Sequence, residues 1–354
     1  MPTTPATTPD DRPSSPIRIA LLSFWHVHAA DYARQALEHP ETELVAIWDE
    51  NPERGQAEAN ARNVPFVADL EAIWNDPTIH GVILTSATRE HRRLLVAAAN
   101  SGKHIFTEKV IAATTSEALE AVTAIERASV KWMVSLPGLY SGSTRAVRDV
   151  IASGRLGQVT QVRVRVSHSG LLPTNGQPHG WLPERFSDPL EAQGGAMIDF
   201  GVHPMYLTGL FLGMPDQVSA TYGRITGHAV EDNAVAVLHH SSGAVGIVEA
   251  GFVNPHDWFS IEVHGTEALL HFGAPTGGLS VSTNAAGRAS SWEVLEVPAD
   301  GRSPFEHWVR HVLHEDDHSR EVSAENQRIA LDVTTLMEAS NSAARSGQTV
   351  KIKA

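Results

Sequence analysis

From Ile17 to Leu136 the chain alternates short, wholly apolar runs with amphipathic stretches, and no other feature constrains its fold as strongly. IRIALL (Ile17–Leu22), ELVAIWD (Glu43–Asp49), GVILTS (Gly81–Ser86), HIFTEK (His104–Lys109) and KWMVSL (Lys131–Leu136) read as strands. Between them, Ala29–Glu38, a stretch opening at Asn51-Pro52, Arg89–Asn100 and Ser116–Ala128 read as helices. Proline suits a first helical position, and Ser101-Gly102 is a helix-closing signal. Strand, helix, strand at this spacing requires right-handed crossovers and a parallel sheet. The apolar runs are continuous because strands of such a sheet are buried on both faces.

After Pro137-Gly138 the pattern changes. Ser143–Ala152 reads as a helix, and Gln158–Ser169 alternates valine with polar residues as a half-exposed strand does. Val218–Thr226, Ala234–His240, Val245–Phe252, Phe259–Val263 and Ala268–Phe272 follow as strands with hairpin-length connections, and Glu325–Arg345 closes as a long helix. The fold class is therefore α/β. Residues 17–137 form a Rossmann-type doubly wound parallel sheet, and residues 138–354 an α+β domain with an open, mostly antiparallel sheet. The Pro/Thr/Ser-rich residues 1–16 read as a disordered leader without signal-peptide layout.

The formal charge is −14, from 41 acidic and 27 basic residues, and no basic stripe offsets it, which argues against nucleic acid as a partner. No apolar run reaches the ~20 residues that span a bilayer, so a membrane is not expected either. With no cysteine in the chain, disulfides and thiolate chemistry are excluded, which fits a cytoplasmic protein. The valine row Val162, Val164 and Val166 on a half-open sheet suggests a homo-oligomer, dimer or tetramer, that covers it.

In a doubly wound sheet the ligand lies beyond the carboxyl ends of the strands, where the order reverses. The first strand-to-helix turn of a dinucleotide site normally reads G-x-G-x-x-G. Here it is SFWHVHA, with Ser23, Trp25 and His28 at the glycine places, so side chains of Ser23, Trp25, His26 and His28 are the candidates to meet the phosphates. Asp49 ends the second strand, where an acid accepts ribose hydroxyls and repels a 2′-phosphate. That favours NAD over NADP, weakened only slightly by Arg54.

Four segments then resemble the glucose-fructose oxidoreductase / inositol dehydrogenase (Gfo/Idh/MocA) family, in its order and over nearly all of Ile17–Ala354. They are LVAIWDENPERG (Leu44–Gly55), TSATREHRRLLVAAANSGKHIFTEK (Thr85–Lys109), ASGRLGQVTQVR (Ala152–Arg163) and GGAMIDFGVHP (Gly194–Pro204). The resemblance implies a nicotinamide-dependent oxidoreductase acting on CH–OH groups of sugars, cyclitols or similar polyhydroxylated molecules. It implies cofactor contacts at Thr85, Ser86, His91, Glu108 and Lys109, and an acid/base role for Lys109. The chain departs from the family at the first turn, at Val110 where Glu-Lys is usually followed by proline, and at Tyr206 where an acid usually stands.

Lys109 ends a strand at the ligand edge, where a desolvated amine could take a hydroxyl proton. Asp199 and His203 are four apart. On one continuous helix across Gly194–Leu212 they would form a hydrogen-bonded pair that shares the proton with Lys109, with Tyr206 on the same face and Pro204 as a kink. His168, with His179, Trp181 and Arg185 of the stretch Thr174–Arg185, and Tyr206 are the substrate-contact candidates. No metal is assigned. Two rival readings remain: a metal-dependent hydrolase built on His26-Val27-His28 with His168, Asp199 and His203, and the same fold used for redox-neutral chemistry or sensing.

Overall fold

The computed structural model describes residues 16–174, 176–275, 277–283, 291–314 and 316–352. The leader expected over 1–16 lies, except for Pro16, outside the described residues. The first half runs β1 (Ile17–Leu22), α1 (Ala29–Glu38), β2 (Thr42–Trp48), α2 (Pro52–Arg62), α3 (Leu70–Asn75), β3 (Gly81–Leu84), α4 (His91–Asn100), β4 (His104–Thr107), α5 (Thr115–Ala128) and β5 (Trp132–Val134). All five strands are parallel, in the order β2-β1-β3-β4-β5. The chain order reverses between β1 and β3, so the crevice beyond their carboxyl ends is the switch point for a ligand.

Alternation along each strand sorts side chains onto two faces. Ala20, Leu22, Val82, Leu84 and Ile105 pack with the α4 and α5 residues Leu94, Leu95, Ala118 and Ala121. Ile19, Leu21, Ile83 and Phe106 turn the other way, toward Ala29, Ala33 and Ala36 of α1. The helices start where the sequence provides caps: Asn51 accepts from the Arg54 amide and Thr114 from that of Glu117.

The second half adds α6 (Gly142–Ala152), β6 (Val159–Ser167), α7 (Ala196–Asp199), α8 (Val202–Leu212), β7 (Gln217–Gly223), β8 (Asn233–His239), β9 (Val245–Gly251), β10 (Trp258–Gly265), β11 (Ala268–Gly273), β12 (Leu279–Thr283), β13 (Ser291–Leu295), α9 (Pro304–Leu313), α10 (Asp317–Ser346) and β14 (Val350–Lys351). Its sheet runs β13-β12-β11-β10-β6-β9-β8-β7-β14 and is antiparallel except between β6 and β9.

Three features differ from the sequence reading. The long helix expected across Gly194–Leu212 is broken between α7 and α8 at Phe200-Gly201. A Cβ on Gly201 would lie 2.6 Å from the Met197 carbonyl oxygen, so the break is built around a glycine. Pro204 then falls in the first turn of α8, where proline is tolerated, and kinks nothing.

The row Val162, Val164 and Val166 is also not open. All three are buried, and Val162 and Val164 pack with Met205 of α8 and Val333 of α10 in the same core. The outer face instead carries ion pairs, as between the Arg163 guanidinium and the Glu249 carboxylate at 2.9 Å. The valines therefore give no argument for a second copy.

Finally, α9 returns to the first sheet. Phe305, Trp308 and Val309 complete the α1 face, and the Asn326 side chain of α10 bonds the Val134 backbone through both its amide nitrogen and its oxygen. A boundary near residue 137 separates the sheets but not the cores. No helix among the described residues is long and apolar enough to cross a membrane.

Candidate active site

Two carboxylates, one ammonium and two imidazoles meet beyond the ends of β1 and β4. Lys109, just past β4, is buried, and its Nζ donates to the main-chain oxygen of Asp199 at 2.6 Å and to the Asp199 Oδ1 at 3.0 Å. Asp199 is the last residue of α7, so this contact joins the two halves. His26 Nε2 lies 3.3 Å from the same Oδ1 and 3.5 Å from Nζ. Burial alone would raise the Asp199 carboxyl, but the Lys109 charge and the bonds from His26 and Lys109 hold it far below the usual range.

Glu108 is fully buried beside this pair. Its Oε1 lies 2.7 Å from His28 Nδ1 and 2.7 Å from the Tyr32 hydroxyl, and its Oε2 accepts from the Lys109 amide at 3.0 Å. Tyr32 has one phenolic proton, so it donates to the carboxylate and accepts from Ser135, 2.6 Å away. Desolvation pushes Glu108 up, and the charges of His26, His28 and Lys109 outweigh it and hold the acid well below its ordinary value.

The expected Asp199–His203 pair does not form. The break at Gly201 turns the two side chains apart: Asp199 goes to Lys109 and His26, whereas His203 Nδ1 sits 3.4 Å from the Tyr206 hydroxyl. That hydroxyl accepts from the Gly138 amide at 2.9 Å, so Tyr206 ties α8 to the junction between the halves. Burial, with the nearby Lys109 and His28 charges, lowers His203 to about 3, leaving it neutral at ordinary pH.

His203 and Tyr206 line a cavity of about 600 Å³ together with His168, Trp181, Phe200 and Trp258. His168 is held between rings, 4.8 Å from Trp181, 4.7 Å from Phe200 and 4.8 Å from Phe252. Its Nδ1 accepts the Gly170 amide, so the proton of the neutral ring resides on Nε2. His203, which lines this space, is acted on by the Lys109 charge, so the aromatic-walled cavity lies near that amine. Such walls with few polar groups suit the faces of a ring-shaped polyol.

Of the other substrate candidates, His179 is exposed and not among the cavity's lining residues. Arg185 turns away from the cavity to the first turn, where its Nε donates to the Trp25 carbonyl at 2.5 Å. Asp257, Trp258 and Phe259, at the head of β10, do line the space and went unread, because nothing local distinguishes them from a hairpin. Tyr32 was also missed; its only sequence signal is its place on the inward face of α1.

The first turn is unlike a glycine-rich one. The amides of Ser23, Phe24, Trp25 and His26 donate to the Trp48 oxygen, the Asp49 carboxylate, the Ser23 hydroxyl and the Thr85 oxygen. Ser23 takes the left-handed φ of 78° that glycine would supply. Trp25 stacks on Phe186 at 4.7 Å, and its indole nitrogen donates to Glu191 at 2.7 Å. Ser23, Trp25 and Thr85 thus build the turn through buried contacts.

Asp49 is not free for a ribose either. Its carboxylate accepts the Phe24 and Asn51 amides and a bidentate pair from Arg54, at 2.9 and 2.7 Å. Arg54 therefore cancels its charge, a far larger effect than the slight weakening expected. His91 is likewise occupied. It is buried, with Nδ1 2.6 Å from the Val110 oxygen and Nε2 3.2 Å from that of Ser86, so it ties two loops and offers a cofactor no nitrogen.

Residues 25–136 match the model of the GFO/IDH/MocA oxidoreductase family with NAD-binding Rossmann fold, and residues 144–271 match the GFO/IDH/MocA C-terminal domain. The chain belongs to this family. Within it, the chain is 30% identical to the 1,5-anhydro-D-fructose reductase of Ensifer adhaerens over 64% of its own length and 67% of the relative's. It is 27% identical to the scyllo-inositol 2-dehydrogenase (NAD(+)) of Bacillus subtilis over 66% and 67%. Among solved structures, an oxidoreductase of Desulfitobacterium hafniense superposes with TM-score 0.80 at 18% identity, covering 96% of this chain and 98% of that one. In this GFO/IDH/MocA chain the Glu108-Lys109 pair thus stands beside a first turn rebuilt from side chains.

Proposed function

We propose that the chain is an NAD(P)-dependent oxidoreductase that interconverts a CH–OH group and a carbonyl on a sugar, cyclitol or related polyhydroxylated molecule. The observation that carries this reading is the buried Lys109 amine, held by Asp199 beside the aromatic-walled cavity. The relatives named for reactions on anhydrofructose and inositol support the substrate class.

The dinucleotide, when bound, supplies the hydride acceptor or donor. Its fit to the first turn differs from the usual one. With the amides of residues 23–26 occupied, anionic phosphates would be held by side chains around the turn, the guanidinium groups of Arg185 and Arg54. Because Arg54 neutralises Asp49, discrimination between NAD and NADP is expected to be small, in place of the NAD preference read from Asp49 alone.

Lys109 is the acid/base. In its neutral form Nζ takes the substrate hydroxyl proton, and the Asp199 carboxylate fixes the amine and stabilises the resulting ammonium. His203, neutral and anchored at Tyr206, orients the substrate oxygen rather than sharing the proton through Asp199. The wall of His168, Phe200 and Trp181 excludes water and presents ring faces to the substrate.

The test is a panel of sugars and cyclitols incubated with the full chain and NAD or NADP, followed by the absorbance of reduced nicotinamide. Accumulation of NADH or NADPH with a panel member, lost in Lys109→Ala, is the expected result. Consumption of substrate without reduced nicotinamide would replace this reading by the redox-neutral one.

A further inference from the structure

The same turn that lacks glycines carries His26-Val27-His28, and the fold brings Glu108 to it. The three side chains each offer one ligand atom, and these atoms all lie within 4.8 Å of one another. His28 Nδ1 is 2.7 Å and His26 Nδ1 3.6 Å from the Glu108 Oε1, and the two imidazole centroids are 4.5 Å apart. Sequence reasoning sets both histidines at a phosphate and assigns no metal; the assembled donors point elsewhere.

From this geometry we propose that His26, His28 and Glu108 form a site for one divalent first-row transition cation. Two imidazole nitrogens and a carboxylate oxygen are a donor set that suits Zn²⁺, Fe²⁺, Co²⁺ or Mn²⁺. Three protein ligands leave at least one position of a four-coordinate ion open, as in exchangeable rather than closed structural sites.

The surroundings are oriented as metal-bound histidines require. His26 Nδ1 carries no proton, since it accepts the His28 amide at 3.2 Å, a contact that a bound cation would replace, and Nε2 faces the Asp199 carboxylate at 3.3 Å. This is the arrangement in which an outer carboxylate fixes the tautomer of a ligating imidazole. Glu108 is itself held: its Oε2 accepts from the Lys109 amide, and its Oε1, which faces the two imidazoles, accepts from the Tyr32 hydroxyl.

His28 is half exposed, which gives a cation from solution a way in. The site also differs from the rival hydrolase set, because His168 lies in the aromatic cavity and Asp199 is an outer partner.

The experiment uses full-length protein stripped with a chelator and titrated with Co²⁺, read by visible ligand-field absorption, with metal content after desalting as a second readout. One equivalent of Co²⁺, displaced by Zn²⁺, is expected in the parent chain. His28→Ala and Glu108→Gln should each weaken binding by at least about tenfold, and Asp199→Asn by about 10–100-fold through loss of the outer carboxylate. His179→Ala, at an exposed histidine elsewhere, should bind as the parent does. Circular dichroism confirms that each variant is folded, and His28, lying at the surface, is the replacement least able to disturb folding. Binding in the parent no tighter than in folded His28→Ala, or no binding at all, overturns the proposal.

Discussion

The Nζ of Lys109 lies 2.6 Å from the main-chain oxygen of Asp199 and 3.0 Å from its carboxylate, linking the parallel sheet to the helix break of the second half. The carbonyl contact exists because α7 stops at Asp199, which leaves that oxygen without a helical partner. A helix continuing through Gly201 would withdraw it. The amine is thus placed by the interruption that separates Asp199 from His203.

Replacing the amine should therefore remove turnover while sparing cofactor binding. Lys109→Ala is expected to lower kcat by about 10²–10⁴-fold, the usual contribution of a positioned acid/base. It should also cost about 3 kcal/mol of stability, because the largely buried Asp199 carboxylate loses its cation. Steady-state kinetics and urea unfolding of the two proteins check both; near-parental kcat would remove Lys109 from the chemistry.

Arg54 should govern the choice between dinucleotides. Its guanidinium covers Asp49, so Arg54→Ala exposes an uncompensated carboxylate near the adenosine ribose position. NADPH affinity is expected to fall at least about tenfold relative to NADH, equivalent to about 1.4 kcal/mol. Parallel titrations with the two reduced forms measure the ratio, and an unchanged ratio would mean that Asp49 and Arg54 do not meet that ribose.

Trp181 should act on substrate affinity alone. It is partly exposed on the cavity wall, 4.8 Å from His168. Trp181→Ala is expected to raise KM by about 2–10-fold, matching about 0.5–1.5 kcal/mol for one aromatic contact, with kcat nearly unchanged. A fall in kcat with constant KM would contradict this.

Acid should destabilise the fold before it reaches the ordinary carboxylate range. Burial lowers His203 to about 3, and burial with the Lys131 charge lowers His104 to about 4. In the unfolded chain both titrate near about 6.5. As pH falls below that value, protons bind the unfolded chain first. The stability these neutral rings confer is complete above about 6.5 and is lost toward 3–4. Each contributes a slope of up to about 1.4 kcal/mol per pH unit. Urea unfolding at pH values above and below 6.5 should show a plateau and then a decline; greater stability on the acid side would contradict the assignment.

The strands of the parallel sheet were legible because strands buried on both faces are continuous apolar runs, and the observed β1 and β3 lie within IRIALL and GVILTS. Lys109, Glu108 and the cavity residues Trp181, His168 and Tyr206 were placed by the family resemblance and by position along the chain. The errors share one cause: sequence spacing does not show what a neighbour already occupies. Asp49 stands where a ribose acid should, but Arg54, five residues on, holds its carboxylate. Asp199 and His203 have helical spacing, yet a glycine between them ends the helix. The helix α9 did carry a local sign, Ser303-Pro304 followed by Glu306, whose amide donates to the Ser303 side chain. Its packing on the first sheet had no such sign, because it joins segments nearly the whole chain apart.

The proposed activity requires that a turn without free amides still seat a nicotinamide dinucleotide beside Lys109. The most direct measurement is a titration of the full chain with NADH and NADPH, followed by nicotinamide fluorescence and repeated with Lys109→Ala. Saturable binding of both forms in both proteins, with turnover lost only in the variant, is the expected result. No saturable binding of either dinucleotide to the parent chain would contradict it.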